Sequence, residues 1–339
     1  MLVLPSISFA IAWAGTAAMR RYALGSGLMD VPNERSSHSI PTPRGGGLAI
    51  VIAVCISTCG VWLMDSVHTS ILAIVLIGGG FVALVGYLDD RHELPARLRF
   101  AVHLAAAVLA VALIDGGILG LGHGLGPTRV SVGFLAAIGV VWMLNLYNFM
   151  DGIDGIAAAQ SAFMAGAGAV LNVAGGGPDG LTMVLVITAT ASCGFLIPNW
   201  PPATIFMGDV GSGFLGFLFG ALALVCDAQT PVSVWSWIIL GSLFIGDATA
   251  TLLHRIARHE RWYVAHRTHA YQWLARRFGR HLPVTRLYIG TNVIVVFPVA
   301  YLSVQKPAIA PAIAVLCLLA VGGASLLVGA GRPESALGD

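Results

Sequence analysis

The sequence predicts an all-α integral membrane protein, a polytopic helical bundle of about 11 transmembrane helices. Three observations predict it. The 339 residues are 57% hydrophobic and 10% charged, against roughly 25% charged residues in a soluble domain. Apolar runs close to the about 20 residues that cross a bilayer recur along the whole chain. Placing the intervening loops alternately on two sides puts nearly all the positive charge on one of them.

The runs are 2–19, 46–64, 70–88, 101–121, 130–147, 156–173, 181–197, 213–227, 232–250, 284–302 and 308–330. Arg20 and Arg21 follow the first run, whereas a secretory signal places its charge ahead of the apolar stretch. The first helix is therefore expected to be a retained anchor with its N-terminus outside. The inner loops then hold sixteen arginines, and the outer loops hold Arg129 and Lys306. This asymmetry is the positive-inside pattern. A basic inner face also suits anionic headgroups and anionic substrates. No soluble domain fits between the runs, so residues 1–339 read as one membrane domain. The longest interruption is 251–283.

Outer connections are short and plain. Inner connections are longer and carry the polar residues, so function is expected on the inner, cytoplasmic face of a bacterial inner membrane. The glycines of Gly78-Gly79-Gly80, Gly213, Gly216 and Gly220 read as helix-packing positions, because small residues let helices approach closely in lipid. No internal repeat of the kind found in many carriers is visible. Cys55, Cys59, Cys193, Cys226 and Cys317 form no CxxC pair and read as small packing residues.

Three acidic motifs fall where apolar runs meet inner loops. Asp89 and Asp90 end the third run. Adjacent carboxylates repel unless a cation is near, and Mg²⁺ uses few protein carboxylates while leaving room for substrate phosphates. Asn148-Phe149-Met150-Asp151-Gly152-Ile153-Asp154-Gly155 opens the sixth run. One helical turn would bring Asp151 and Asp154 to the same face, and the glycines permit close backbone approach to a ligand. An N-cap explains one aspartate there but not two with an asparagine. Gly208-Asp209-Val210-Gly211-Ser212 opens the eighth run behind a proline-rich loop, with Asp209 as a candidate metal ligand. In the basic loop, His266-Arg267-Thr268-His269 lies among arginines. Those arginines argue for a pyrophosphate clamp rather than a second cation. Asp247, His103 and Asp115 are ionisable groups in or near apolar runs, functional candidates by default in a membrane. Asp247 is expected near the inner end of its run, facing the same cavity. Asp115 reads as bland.

Together these motifs resemble the polyprenyl-phosphate N-acetylhexosamine-1-phosphate transferases, glycosyl transferase family 4. The resemblance covers about residues 30 to 275 and includes Asp30 to His38 and Pro43-Arg44-Gly45-Gly46-Gly47 in the first inner loop. It implies an enzyme that transfers N-acetylhexosamine 1-phosphate from a UDP-sugar to undecaprenyl phosphate. The products would be an undecaprenyl-pyrophosphoryl sugar and UMP, with Mg²⁺ or Mn²⁺ as cofactor. By the same resemblance Asp209 ligates the metal with Asn148, Asp89 and Asp90 lie beside the lipid phosphate, and Asp151, Gly152 and Asp154 position the UDP moiety. His266, Arg267, His269 and Arg44 would hold phosphates or sugar. Peptidoglycan translocases of the family carry three consecutive histidines. The sequence His266-Arg267-Thr268-His269-Ala270-Tyr271-Gln272 is closer to the branch that initiates O-antigen, whose donors include UDP-GlcNAc, UDP-QuiNAc and UDP-FucNAc. The competing readings are a phospho-MurNAc-pentapeptide-type transferase and a carrier of an anionic substrate. No nucleic-acid partner is expected, and a homodimer is compatible with the chain.

One consequence concerns the cysteines. Cys55→Ala should leave lipid-dependent UMP release within about twofold of the parent, as expected of a packing residue. A dead variant in the same assay would overturn the packing reading.

Overall fold

The computed structural model describes residues 3–32, 40–92, 94–114, 127–260 and 266–332. The protein is a polytopic all-α membrane protein, with sheet confined to one two-stranded pair among the described residues. Helices α1 (Val3–Ser26), α2 (Leu48–Leu63), α3 (Thr69–His92) and α4 (Ala96–Leu113) come first. They are followed by α5 (Pro127–Phe149), α6 (Ile156–Ala174), α7 (Asp179–Asn199) and α8 (Asp209–Gln229). The last five are α9 (Val234–Leu240), α10 (Ser242–Ala257), α11 (Ala270–Phe278), α12 (Leu282–Gln305) and α13 (Pro307–Val328).

Each of the eleven apolar runs coincides with one helix or with the α9–α10 pair. Among the described residues, eight helices are long and apolar enough to cross a membrane, and the bent pair raises this to nine. Two differences from the sequence reading have physical causes. Helix α1 continues through Arg20 and Arg21 to Ser26, because arginine is a good helix former and charge alone does not stop a helix. The run 232–250 is not one straight span: it bends by 79° between α9 and α10, at Gly241. The break frees the Leu240 carbonyl, which accepts Gln160 Nε2 at 3.1 Å. Gln160 Oε1 in turn accepts Asn292 Nδ2 at 2.6 Å. Unpaired backbone in an apolar interior is costly, so a broken membrane helix needs such a partner. In the run 101–121, helix α4 is described to Leu113. Asp115 and the rest of that run lie outside the described residues, as do residues 33–39 of the first inner loop.

Helix α8 is the axis of the bundle. Its apolar window is 83% buried, compared with 17% for α13. It packs against α3 and α5, while α1, α2, α6 and α7 form a neighbouring layer. Small residues set these distances. A Cβ on Gly216 would stand 2.7 Å from Leu144 Cα, and one on Gly220 would stand 3.0 Å from Val140 Cα. Gly78 and Gly79 receive the rings of Phe217 and Phe214. Gly213 makes ordinary contact with Val82, and Gly80 faces open space, so the packing reading fits some of the predicted glycines better than others.

The segments joining these helices at one end are stitched together by backbone. Strand β1 (Met29–Asp30) pairs antiparallel with β2 (Thr42–Pro43), Met29 opposite Pro43. Phe206 N–H donates to Pro43 O at 2.8 Å, Gly46 N–H to Phe206 O and Gly47 N–H to Met207 O, both at 2.9 Å. The start of α2 therefore lies against the start of α8. At the crossing, a Cβ on Gly47 would stand 2.4 Å from Gly211 Cα.

The crossing and the open position at Gly80 give a matched pair of variants. Gly47→Ala should destabilise the protein by about 1–3 kcal/mol, the usual cost of overpacking, and Gly80→Ala should not. Thermal unfolding of both in one detergent checks this. Equal melting temperatures would show that the α2–α8 crossing yields easily.

Candidate active site

The site is assembled on the first turn of α8. Gly208 precedes that helix with φ +76°, and a Cβ there would meet Asp90 Oδ2 at 2.5 Å. Glycine is thus required both by the backbone angle and by the neighbouring carboxylate. Asp90, near the end of α3, accepts the N–H of Asp209 on Oδ1 at 3.0 Å and that of Val210 on Oδ2 at 3.3 Å. Arg44 Nη2 adds an ion pair to Oδ1 at 3.1 Å. The Asp90 side chain is 1% exposed. A helix N-terminus has unpaired donors and a partial positive charge, and Asp90 satisfies both from a distant helix.

This geometry revises the expectation for Asp90. Its enclosed carboxylate offers no open face to a lipid phosphate, and its contacts are those of a group that places α8. Arg44 is likewise engaged, with one guanidinium nitrogen on Asp90.

Asp89 differs from its neighbour. Its Oδ1 accepts the Leu94 N–H at 2.6 Å and its Oδ2 pairs with Arg99 Nη1. The same Arg99 nitrogen lies 3.6 Å from Asp209 Oδ2. Asp209 projects from the start of α8 with its side chain 36% exposed, more accessible than Asp89 or Asp90. A pair this open to water contributes about 0–1 kcal/mol, so Arg99 can be displaced when a ligand brings its own charge.

Asn148 closes the site from α5, donating Nδ2 to Ser212 Oγ at 3.0 Å on the first turn of α8. Asp151 follows in the α5–α6 loop and is half-buried. Burial first, then the nearby charges of Asp209, Asp90 and Asp154, pushes its carboxyl well above the usual carboxylate range. Asp154 is held differently. Its Oδ1 faces His281 Nδ1 at 3.1 Å, its Oδ2 accepts the Ala203 N–H at 3.0 Å, and its carbonyl accepts Thr285 Oγ1 at 2.8 Å. Asp151 and Asp154 therefore do different work in spite of their regular spacing. Gly152 is pressed against α11: a Cβ would stand 2.2 Å from the Tyr271 hydroxyl, which itself donates to Phe149 O at 2.8 Å.

The histidine segment enters from the opposite side. His269 is 2% exposed, with its ring near Phe149, Tyr271 and, at 4.9 Å between centroids, His266. Burial, with His269 and Arg255 nearby, holds the His266 imidazole down to about 3, so it is neutral at physiological pH. Its Nδ1 lies 3.0 Å from Thr268 Oγ1. Beside this segment is an open cavity of about 700 Å³ lined by Arg267, Arg276, Arg280, Asp154, His281 and Phe206. Three arginines in one wall suit a polyanion, since the guanidinium fork matches phosphate oxygens.

Asp247 does not line that cavity. It is 0% exposed, and its oxygens accept the N–H groups of Ala270 and Tyr271 at 2.9 and 3.1 Å. A membrane carboxylate with all its oxygens taken by protein donors is a poor carrier site. Among the described residues, no three His, Cys, Asp or Glu side chains form a ready metal cage. The open donors are the hard oxygens of Asp209, Asp151 and Asn148. They fit an ion such as Mg²⁺, which takes one or two carboxylates and completes its shell with water and phosphate.

Sequence reasoning found the acidic motifs and the histidine segment. It missed His281, Thr285, Asn199 and Tyr271 as parts of the site. Asn199 Oδ1 accepts the Gly155 N–H at 3.0 Å. Thr285 and Asn199 carry no motif signal, and His281 stood out only as one more histidine in a basic loop.

Comparison with known proteins gives the family. Residues 47–227 match the model of glycosyl transferase family 4. A probable undecaprenyl-phosphate N-acetylglucosaminyl 1-phosphate transferase of Bacillus subtilis is 34% identical over 257 residues, covering 71% of this chain and 68% of the relative. A decaprenyl-phosphate N-acetylglucosaminephosphotransferase of Mycolicibacterium smegmatis is 33% identical over 240 residues, 66% of this chain and 59% of the relative. A phospho-N-acetylmuramoyl-pentapeptide-transferase of a Synechococcus species is 29% identical over 273 residues, 75% of this chain and 72% of the relative. The chain belongs to glycosyl transferase family 4.

The crowding around Asp151 has a measurable sign. A carboxyl raised in the fold favours the protonated protein, so stability is lost as pH rises above the unfolded value of about 3.9. With a chelator present, Asp151→Asn should therefore raise the melting temperature at pH 8. The gain should shrink toward pH 4. A variant less stable than the parent at pH 8 would mean that the carboxylate is already compensated.

Proposed function

We propose that this protein transfers N-acetylhexosamine 1-phosphate from a UDP-sugar to undecaprenyl phosphate, releasing UMP. The observation that carries the proposal is the meeting of three acidic motifs and an arginine-lined cavity at one end of a membrane bundle. A membrane lipid phosphate and a water-soluble nucleotide can reach one another only at such an interface. The names of the relatives support a polyprenyl phosphate and an N-acetylglucosamine phosphate group as the reacting parts.

Phosphoryl transfer is mainly a matter of positioning and charge neutralisation. Asp209, with Asn148 and Asp151, would hold Mg²⁺ or Mn²⁺, which when bound supplies neutralisation of the diphosphate. Arg267, Arg276 and Arg280 would pair with phosphate oxygens of the nucleotide. Asp154, fixed by His281 and the Ala203 amide, would orient the donor where the cavity begins. Asp89 and Arg99 would stand beside the incoming lipid phosphate. A phosphate monoester with its second pKa near 6 is already mostly dianionic at pH 7, so the residues present need align it rather than deprotonate it.

The donor is proposed to be UDP-GlcNAc, UDP-QuiNAc or UDP-FucNAc, and the product the first lipid-linked unit of an O-antigen or related envelope glycan. The motif His266-Arg267-Thr268-His269, in place of three consecutive histidines, supports that branch. The site is proposed to face the cytoplasm of the bacterial inner membrane. A phospho-MurNAc-pentapeptide-type donor is the alternative, and one donor panel distinguishes the two.

Purified protein in detergent should release UMP only with undecaprenyl phosphate, a divalent ion and one of the UDP-N-acetylhexosamines. EDTA should stop the reaction. Asp209→Asn should cut turnover by about two to three orders of magnitude, as when one preorganised charge-stabilising group is lost, with little change in melting temperature. Normal metal-dependent rates in that variant would remove Asp209 from the metal site. Release from UDP-MurNAc-pentapeptide alone would favour the alternative donor.

A further inference from the structure

Asp247 is an ionisable group inside an apolar helix, and the proposed chemistry does not use it. Its surroundings are unusually complete. Oδ1 accepts the Ala270 N–H at 2.9 Å and the Thr251 hydroxyl at 3.1 Å. Oδ2 accepts the Tyr271 N–H at 3.1 Å and the Tyr288 hydroxyl at 3.4 Å. Those two amides begin α11, so Asp247 caps a helix that starts twenty-three residues further along the chain. A carboxylate taken out of water is tolerated only when donors surround it, and here four do.

The same carboxylate faces the residue before that helix. His269 Nδ1 lies 3.7 Å from Asp247 Oδ1. Among the described residues His269 Nδ1 is buried with no hydrogen-bond partner, so Asp247 is the charge it confronts. The ring is also boxed by Phe149 and Tyr271. His269 N–H donates to Gln272 Oε1 at 3.2 Å, one half of a capping box. With Nδ1 turned to Asp247, the far nitrogen Nε2 points away from it.

We propose that Asp247 is a positioning residue for the histidine segment. It fixes the start of α11 and with it the backbone at His269, so that a phosphate- or sugar-bearing donor meets the histidine segment, whose Arg267 lines the cavity, in one orientation. The two amide hydrogen bonds fix the backbone next to His269, and the carboxylate's charge stands beside Nδ1 at a distance longer than a hydrogen bond. The inference rests on the transferase reading for its activity arm and stands apart from it in its structural arm.

The structural arm uses no substrate. Hydrogen exchange of the full-length protein in detergent should show the Ala270 and Tyr271 amides losing protection in Asp247→Asn. The Asp209 and Val210 amides, capped by Asp90, should stay protected. Unchanged exchange at Ala270 and Tyr271 would overturn the proposal.

The activity arm is a double-mutant cycle. Asp247→Asn should lower kcat by about tenfold to a hundredfold, the usual cost of losing the partner that orients a functional histidine. KM for the lipid acceptor should stay within about twofold. In a His269→Ala background, Asp247→Asn should cost less than about twofold more, because residues acting through one another are not additive. Full additivity would mean that Asp247 only supports the fold and would overturn the proposal. If Asp247→Asn does not fold, Tyr288→Phe removes one donor to the same carboxylate, and its loss should likewise vanish in the His269→Ala background. A parent protein without UMP release, but with the predicted exchange pattern, would refute the transferase reading and leave the positioning role supported.

Discussion

The structure depends on one buried carboxylate at a helix start. Asp90 reaches from α3 to the first two amides of α8 and is itself held by Arg44. Asp90 is enclosed and the first amides of a helix have no intrahelical partner, so the carboxylate serves where water does not reach. The contact also fixes where Asp209 can stand. A Cβ on Gly86, one turn before Asp90, would lie 2.5 Å from the Asp209 carbonyl. The start of α8 is thus held by a carboxylate on one side and by close backbone on two others, at Gly86 and Gly47. Steric contact gives the position, and electrostatics gives the direction of the helix end.

Asp247 repeats the arrangement at α11. In both cases a carboxylate from a membrane helix accepts two successive amides of another helix, and the residue thereby placed belongs to the site: Asp209 in one case, His269 in the other. Burial separates the roles. Asp90 and Asp247, almost wholly enclosed, build the frame. Asp209 and Asp151 keep part of their surface open and are the oxygens a ligand can reach. Such a division suits phosphoryl transfer, in which fixed geometry matters more than proton transfer.

The frame also explains why the open carboxylates are crowded. Arg44 and Arg99 neutralise Asp90 and Asp89, but Asp151 is left facing like charge. A site that gathers negative charge without a ligand stores unfavourable energy, which a divalent ion and the arginine-bound phosphates would relieve. Natural sites commonly give up stability in this way where function requires it.

Much of this protein was legible in its sequence. Apolar length determined the helices, because a bilayer accepts only segments of a certain span whose backbone is internally bonded. The motifs around Asp89, Asp151, Asp209 and His269 marked the candidate site, because ionisable groups in or near membrane segments are functional candidates by default. Tertiary structure alone decided which carboxylates are open. Asp89 and Asp90 are adjacent in sequence, yet one meets Arg99 beside the site and the other is enclosed as a helix cap. Asp151 and Asp154 are three residues apart, in the loop before α6 rather than on the helical turn expected of them, and of the two Asp154 meets His281. The physical reason is that a carboxylate's role follows from its partners and its access to water. Here the deciding partners come from far along the chain, as with Asp90 and Asp209, which are 119 residues apart.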